Sequence, residues 1–385
     1  PEDRPHTTGT GSVPPKGLKT RVVVNLETPV HATRAAAEQA EPMAGADHNP
    51  AYAGNAGSHV PGTHQDGVAA IANREVAPED VTRVLEQAKA VPLPGDRQVL
   101  HVLPQEYIVD EQDGIKEPIG MAGVRLEARV HMVTAASTCV ANVTKCAERC
   151  GLFVEEVVLQ PLASAHAVLS PDEREIGGVL IDIGGGTSDI IIYVDGAVVH
   201  TSSIPIGGIN LTSDIATGLR TPMAEAERIK IKYGCAASRM VDDEETIEVP
   251  SVGGRPPRSL PRRVLCDIIE PRVEEIFAAC RHVIAETGYT DMLASGAIVT
   301  GGTTLLDGLP ELAEEVLGLP VRLGAPTGVG GLSDVVKSPA YATGVGLVKH
   351  GAEQLTGTSA PERTVEVATS RGFGRRIGAW FREVF

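Results

Sequence analysis

The chain has 385 residues, 42% hydrophobic and 22% charged, which supplies a large core and suits two or three globular domains of ordinary size. A formal net charge of −16 argues against a protein that neutralises nucleic-acid phosphates. No apolar run approaches the roughly 20 residues that span a bilayer, and six cysteines in so long a chain are no disulfide framework, as expected of a reducing compartment such as a bacterial cytoplasm.

Residues 1–16, PEDRPHTTGTGSVPPK, lack periodicity and read as disordered or as a damaged start. The start at Pro1 rather than Met suggests a processed or truncated chain. A helix is predicted over 28–44, with Pro42 ending it early. Residues 68–71 read as a strand, and an acidic first turn at 77–80 opens a helix to about residue 90. Residues 100–109 and 124–133 read as paired strands. A helix over 137–150 sets Cys139, Cys146 and Cys150 on one face; without a CxxC or a neighbouring His they read as buried thiols, not a metal site. A strand over 154–160 runs into a helix over 161–169, so Gln160 stands at the junction, where its amide can orient an attacking water.

VLIDIGGGTSDIIIYVDG, residues 179–196, is a strand, three glycines, two hydroxyl residues and a second strand. Glycines at Gly184, Gly185 and Gly186 let a ligand approach bare backbone N–H groups. Thr187 and Ser188 add hydroxyl donors. Asp182 and Asp189 would repel bare phosphate and make sense with Mg²⁺ or ordered water between, which points to a Mg-nucleotide site. A glycine-rich turn without ligand is the plainer alternative. Helices follow over 209–217 and 222–233, and AEAERIKIKYG in the second sets Glu227 and Lys230 one turn apart. Such a pair can hold ribose hydroxyls and a base edge, or be an ordinary surface ion pair. A polar excursion from 241 to 263 reads as a hairpin, with its acidic run at 242–245 a solvated turn, and a long helix follows over 264–287. AIVTGGTTLL then repeats the strand-and-glycine pattern, with Gly301, Gly302 and Thr303 where a nucleoside could lie flat. A helix over 310–317, a strand over 321–323 and a last helix over 340–349 complete an α/β chain.

DIGGGTSD, AEAERIK and VTGGTTLL, in this order, resemble the second phosphate loop and adenosine-site motifs of the actin, Hsp70 and sugar-kinase superfamily. HVLPQEYIVD, GMAGVRLEARVH, RTPMAEAERIKIKYGCA, VPSVGGRPPRSL, IEPRVEEIF and YATGVGLVKHG narrow the resemblance to the FtsA family of bacterial cell-division proteins, from about Gly17 to the C-terminus. The resemblance implies an actin-like ATPase fold with two ribonuclease-H-like halves. It implies ATP and Mg²⁺ as cofactors, with Asp182, Gly184, Gly185, Gly186, Thr187, Ser188 and Asp189 at phosphate and metal, and Asp182 meeting Mg²⁺ through water. Gly301, Gly302 and Thr303 would line the adenosine pocket, Glu227 and Lys230 would meet ribose and adenine, and Gln160 would orient water. The family's opening hairpin, with a first phosphate loop of the type DIGTSK, has no counterpart, so the chain is expected to be truncated at its N-terminus. The implied layout is partial subdomain 1A over 1–60, an inserted α+β subdomain 1C over 61–135, the rest of 1A over 136–178, 2A over 179–233 and 292–350, 2B over 234–291, a linker over 351–370 and a terminal helix over 371–385.

RGFGRRIGAWFREVF, residues 371–385, gathers Phe373, Ile377, Trp380, Phe381 and Val384 on one helical face, opposite Arg371, Arg375 and Arg382, with Arg376 at the flank. That pattern fits a helix lying in an anionic membrane interface. The alternative is docking on the protein's own core. Arg255, Arg258, Arg262, Arg263 and Arg272 form a basic cluster, by default a solvated face. The resemblance offers Arg272, with Arg262 and Arg263, as receptor for the acidic C-terminal tail of FtsZ. The expected function is a structural adaptor at the cytoplasmic face of the cell membrane, at the division septum. It would bind ATP, form actin-like filaments, tether FtsZ and meet later division proteins through the insertion, with at most slow ATP hydrolysis and no nucleic-acid partner. A pilus-assembly actin homologue, a sugar kinase or another ATPase is the alternative.

Overall fold

The structure is a computed structural model that describes residues 5–13, 18–19, 22–23, 26–45, 50–57 and 60–356. Its centre is a hairpin of two apolar strands, β10 (Gly178–Ile183) and β11 (Ser188–Val194), every residue of which is buried. They belong to a five-stranded sheet in the order β12 (Ala197–Ile204), β11, β10, β15 (Ala297–Thr300), β16 (Val321–Leu323). β10 to β12 are antiparallel neighbours, whereas β15 and β16 run parallel to β10. Side chains alternate across a strand, so a sheet covered on both faces needs apolar residues at every position. Val179, Ile181, Ile183, Ile190 and Ile192 pack with α6 (Gly208–Leu219), α7 (Met223–Tyr233), α8 (Arg262–Thr287) and α9 (Leu309–Leu317). Leu180, Ile191 and Tyr193 face the other way, onto α4 (Gln160–Val168) and α11 (Ala342–Thr356).

A separate four-stranded antiparallel sheet has the order β5 (Gly62–Ala70), β8 (Arg125–Ala136), β6 (Arg97–Val109), β7 (Gln112–Ile115). Its apolar face buries Val102, Leu126, Ala128, Val130 and Met132 under Val81, Val84 and Leu85 of α2 (Pro78–Lys89). The strand predicted at 68–71 is the end of β5, which begins at Gly62; the polar residues Thr63 to Asp66 conceal it, because β5 is an edge strand with a solvated side. This unit meets the five-stranded sheet through His131 Nε2 and Thr201 Oγ1 at 2.8 Å, and through the Gln105 amide donating to the Val198 carbonyl at 3.0 Å.

The remaining half is built on α1 (Glu27–Ala44), α3 (Ser137–Glu148) and the parallel pair β4 (Pro50–Asn55) and β9 (Phe153–Leu159). Short elements complete the fold: β2 (Leu18–Lys19) against β3 (Val22–Val23), α5 (Pro171–Glu175), α10 (Ser333–Val336), and, packed with α7 and α8, the antiparallel β13 (Thr246–Val249) and β14 (Arg258–Pro261) of the expected hairpin. Three expectations are corrected. Pro42 does not shorten α1; it sits in the last turn, and the helix ends at a left-handed Gly45 whose N–H reaches the Glu41 carbonyl at 2.9 Å. The stretch read as disordered contains β1 (His6–Thr7), parallel to β17 (Gly330–Gly331), and Gly9 and Gly11 lie directly on the α1 backbone. The last helix runs beyond residue 349 to Thr356, into the stretch read as linker, because His350 is buried and its Nε2 bonds Glu156 at 3.1 Å. Residues 357–370 and the terminal segment, with Phe373, Arg375, Arg376, Ile377, Trp380, Phe381, Arg382 and Val384, lie outside the described residues. Cys146 is buried and Cys139 and Cys150 are half-buried, all three as thiols.

Candidate functional site

The turn between β10 and β11 lies at the C-terminal ends of the parallel strands β10 and β15, where open α/β sheets place their ligands. Asp182 near the end of β10 is buried; its Oδ2 accepts from Ser164 of α4 at 2.7 Å and from Thr343 of α11 at 3.1 Å. Thr300 of β15 is its register partner, and Gly301 follows with φ 95°. A Cβ at Gly301 would lie 2.5 Å from Asp182 Oδ1 and from the Ile183 carbonyl oxygen, so only glycine fits. Gly302 is less constrained, since its Cβ would meet only Ala340 at 3.8 Å.

The turn itself is held from below. Gly184 donates to the Thr187 carbonyl at 2.9 Å. The Gly184 carbonyl accepts from Thr303 Oγ1 at 3.0 Å and from the Gly208 N–H at 2.9 Å. The Gly185 carbonyl accepts from the Ile209 N–H at 2.7 Å, so two turn carbonyls cap the N-terminus of α6. Gly185 is exposed at the apex and Gly186 half-buried, whereas Thr187, Ser188 and Asp189 are buried beneath. The Thr187 hydroxyl donates to Asp189 Oδ2 at 3.2 Å. Ser188 points away from the apex, its hydroxyl donating to the Ile206 carbonyl at 2.8 Å, because alternation along β11 sends it to the opposite side from Thr187.

Glu227 and Lys230 of α7 do meet, at 2.8 Å, but they are more than a surface pair. The Lys230 side chain is 9% exposed, and its ammonium also donates to the Gly208 carbonyl and to Thr212 Oγ1, each at 2.9 Å. All three of its donors are therefore used inside the protein. Thr212 also donates to Glu227, which remains 45% exposed and is the member of the pair open to a ligand. Gln160 opens α4 as expected, and its side chain lies against Gly54 of β4, where a Cβ would come within 2.8 Å of it. Its neighbours Leu159 and Pro161 line a narrow crevice with Asp189, Ser202 and Ser203. Sequence reading missed Ser164, Thr212 and Thr343. Their hydroxyls are common in helices, and nothing in their spacing announces that they anchor Asp182 and Lys230.

The arginines are not a free basic face. Arg272 is bidentate to Asp214 of α6, with Nε–Oδ2 at 2.6 Å and Nη2–Oδ1 at 3.2 Å, and also pairs with Glu275 at 2.5 Å. The hydrogen-bonded Asp214 carboxylate holds the Arg272 guanidinium above its ordinary pKa. Arg262 donates to the Tyr233 carbonyl at 2.8 Å and to Glu245 at 2.9 Å, and Arg263 pairs with Asp243. The acidic run at 242–245 is thus partly engaged, because the β13–β14 hairpin brings it back to the start of α8. Among the described residues no group of three or more His, Cys, Asp and Glu side chains is arranged to hold a metal ion, and no helix is long and apolar enough to cross a membrane.

The family model for the cell division protein FtsA matches residues 179–346, and that for the SHS2 domain inserted in FTSA matches residues 57–134. The cell division protein FtsA of Pseudomonas aeruginosa is 49% identical over 90% of this chain and 83% of its own length. The chain belongs to the FtsA family. Another member, from Escherichia coli K12, is 40% identical over 100% of this chain and 93% of its own. Among solved structures, the PilM–PilN type IV pilus biogenesis complex matches with a TM-score of 0.59 at 17% identity, covering 89% of this chain and 90% of that one. The FtsA fold seen here is actin-like, with the SHS2 domain set into one half.

Proposed function

We propose that this FtsA-family chain binds ATP with Mg²⁺ at the β10–β11 turn and serves as a filament-forming adaptor that tethers FtsZ to the cell membrane. The nucleotide reading is supported by one convergence: an exposed glycine apex over buried Asp182, Thr187 and Asp189, beside Gly301, Thr303 and the N-terminus of α6. The residues fit the group. Apex N–H groups at Gly185 and Gly186 suit phosphate oxygens; the first N–H groups of α6 are already taken, two of them by the turn carbonyls, so that helix would contribute its dipole and not free donors. The aspartates suit a hydrated cation, with phosphate completing its ligands. Glu227 would meet the ribose, with Lys230 positioning it and Gly302 leaving room for the base. Gln160 would orient water for a slow hydrolysis, in which Mg²⁺ would neutralise developing phosphate charge.

The terminal segment 371–385 carries the membrane reading: five apolar residues on one face, with a net charge of +3 from four Arg and one Glu. A single helix of this length binds reversibly, and a filament displaying many copies binds by avidity. FtsZ tail docking at the β13–β14 and α8 region, through Arg272, Arg262 and Arg263, needs an acidic segment that competes with their present carboxylates. Later division proteins would meet the SHS2 domain. Co-sedimentation with anionic liposomes, with and without ATP and FtsZ, tests this against a chain ending at Ser370. Sedimentation lost on truncation, with FtsZ carried down only by the full chain, is the expected result. Two chains that both stay in solution while folded would sink the tether.

A further inference from the structure

One helix touches both the glycine turn and the arginine-bearing hairpin and helix. At its N-terminus α6 is capped by the Gly184 and Gly185 carbonyls, and its Gly208 carbonyl holds Lys230. Midway, Asp214 makes the bidentate bond to Arg272 of α8. At its last residue the Leu219 carbonyl accepts from Arg258, the first residue of β14. Between these points the two helices touch closely: a Cβ at Gly218 would lie 2.8 Å from Ile268 Cδ1 of α8. Ile215 and Leu219 share one buried core with Leu265, Ile269 and Val273.

A helix fixed at three points moves as a rod, not a hinge. Displacing the turn carbonyls displaces the cap, and a packed core passes that movement on as a shift of whole elements. We propose that α6 is the strut that couples nucleotide at the glycine turn to the β13–β14 and α8 unit, with the Asp214–Arg272 bond as its clamp. The proposal rests on the nucleotide reading above. It gives Arg272 a task inside the chain, that of a positioning residue. A carboxylate partner that took Arg272 would have to displace Asp214, and would thereby loosen α6.

Hydrogen exchange of the full chain, with and without Mg-ATP, tests the coupling in wild type, Arg272→Gln and Asp214→Ala. In wild type, ATP should slow exchange at residues 184–187, through α6, and at residues 258–275. In either variant the turn should still be slowed while residues 258–275 no longer respond. With the clamp gone and α6 loosened under the turn, ATP should bind each variant about fivefold or more weakly, the lower end of ordinary coupling between sites; unchanged affinity in both overturns the strut. Asp214 lies on a partly solvated helix face and Ala is the best helix former, so Asp214→Ala keeps the test open if Arg272→Gln fails to fold. Unchanged slowing at 258–275 in the variants, or slowing confined to the turn in wild type, overturns the strut. Absence of slowing at the turn itself in wild type overturns the nucleotide reading and the coupling with it.

Discussion

Substituting Gly301 by Ala probes the contact on which the site is built. Gly301 has φ 95°, a region that side-chain-bearing residues avoid at a cost of about 1–3 kcal/mol. The added methyl would also stand 2.5 Å from Asp182 Oδ1 and from the Ile183 carbonyl oxygen. The carbonyl belongs to a buried strand and Asp182 is tied to Ser164 and Thr343, so neither moves freely. Overpacking of this kind costs a further ~1–3 kcal/mol. The sum, about 2–6 kcal/mol, is a large share of an ordinary domain's stability. Gly302→Ala is the matched control: its Cβ would meet only Ala340 at 3.8 Å, and its φ is not in the left-handed region. Thermal melts and titration with a fluorescent ATP analogue, run on both variants, separate packing from polarity. Gly301→Ala should melt at least ~4 °C lower, at about 2–4 °C per kcal/mol, and lose nucleotide binding. Gly302→Ala should stay near wild type in its melt. A Gly301→Ala protein that melts and binds as wild type does would refute the claim that β15 and β10 are locked together at this point.

Lys230→Met should lower stability by about 1–3 kcal/mol, because it removes the charged hydrogen bonds that tie Glu227, the Gly208 carbonyl and Thr212 together; urea unfolding measures it, and an unchanged midpoint would show that the ammonium is not needed there. Gly346→Val should be severely destabilising, since even a Cβ would overlap the Ala163 carbonyl where α11 crosses α4; a soluble variant with a wild-type melt would contradict that packing. His101 is fully buried, and burial pushes its pKa down to about 4, while its Nε2 accepts from the Leu159 N–H at 2.9 Å. Burial likewise pushes His131 down to about 3. These two histidines therefore bind more protons in the unfolded chain than in the folded one between about pH 6.5 and pH 3, so their contribution to stability is full above pH 6.5 and falls as pH drops, through about pH 4 for His101 and about pH 3 for His131. His101→Gln, which retains an acceptor without titrating, should flatten the slope of urea midpoint against pH; an equal slope would rule His101 out as a source.

The placement of the candidate site's residues was legible because it is local. Three glycines between apolar strands dictate a turn with bare backbone, and Asp182, Thr187 and Asp189 sit within a few residues of it. Strands buried on both faces announce themselves as unbroken apolar runs, which is why β10, β11 and β15 could be read directly. The edge strand β5, with a solvated side, could not, and neither could the extent of α11, whose last turns depend on Glu156 meeting a buried His350. Sequence order, composition and local periodicity determined the α/β class, the glycine turn, the hairpin ahead of α8 and the charge pattern of the last fifteen residues. Only the tertiary structure decided which side chains are spent inside the protein. In one dimension Lys230 reads as half of a local pair with Glu227, and Arg272 as part of a solvated basic face or a receptor for an acidic tail. In three, Lys230 is saturated by Gly208, Thr212 and Glu227, and Arg272 is clasped by Asp214, 58 residues away in sequence. A charge takes its nearest compensating partner in space, and that neighbour is set by how helices pack, which no local pattern encodes.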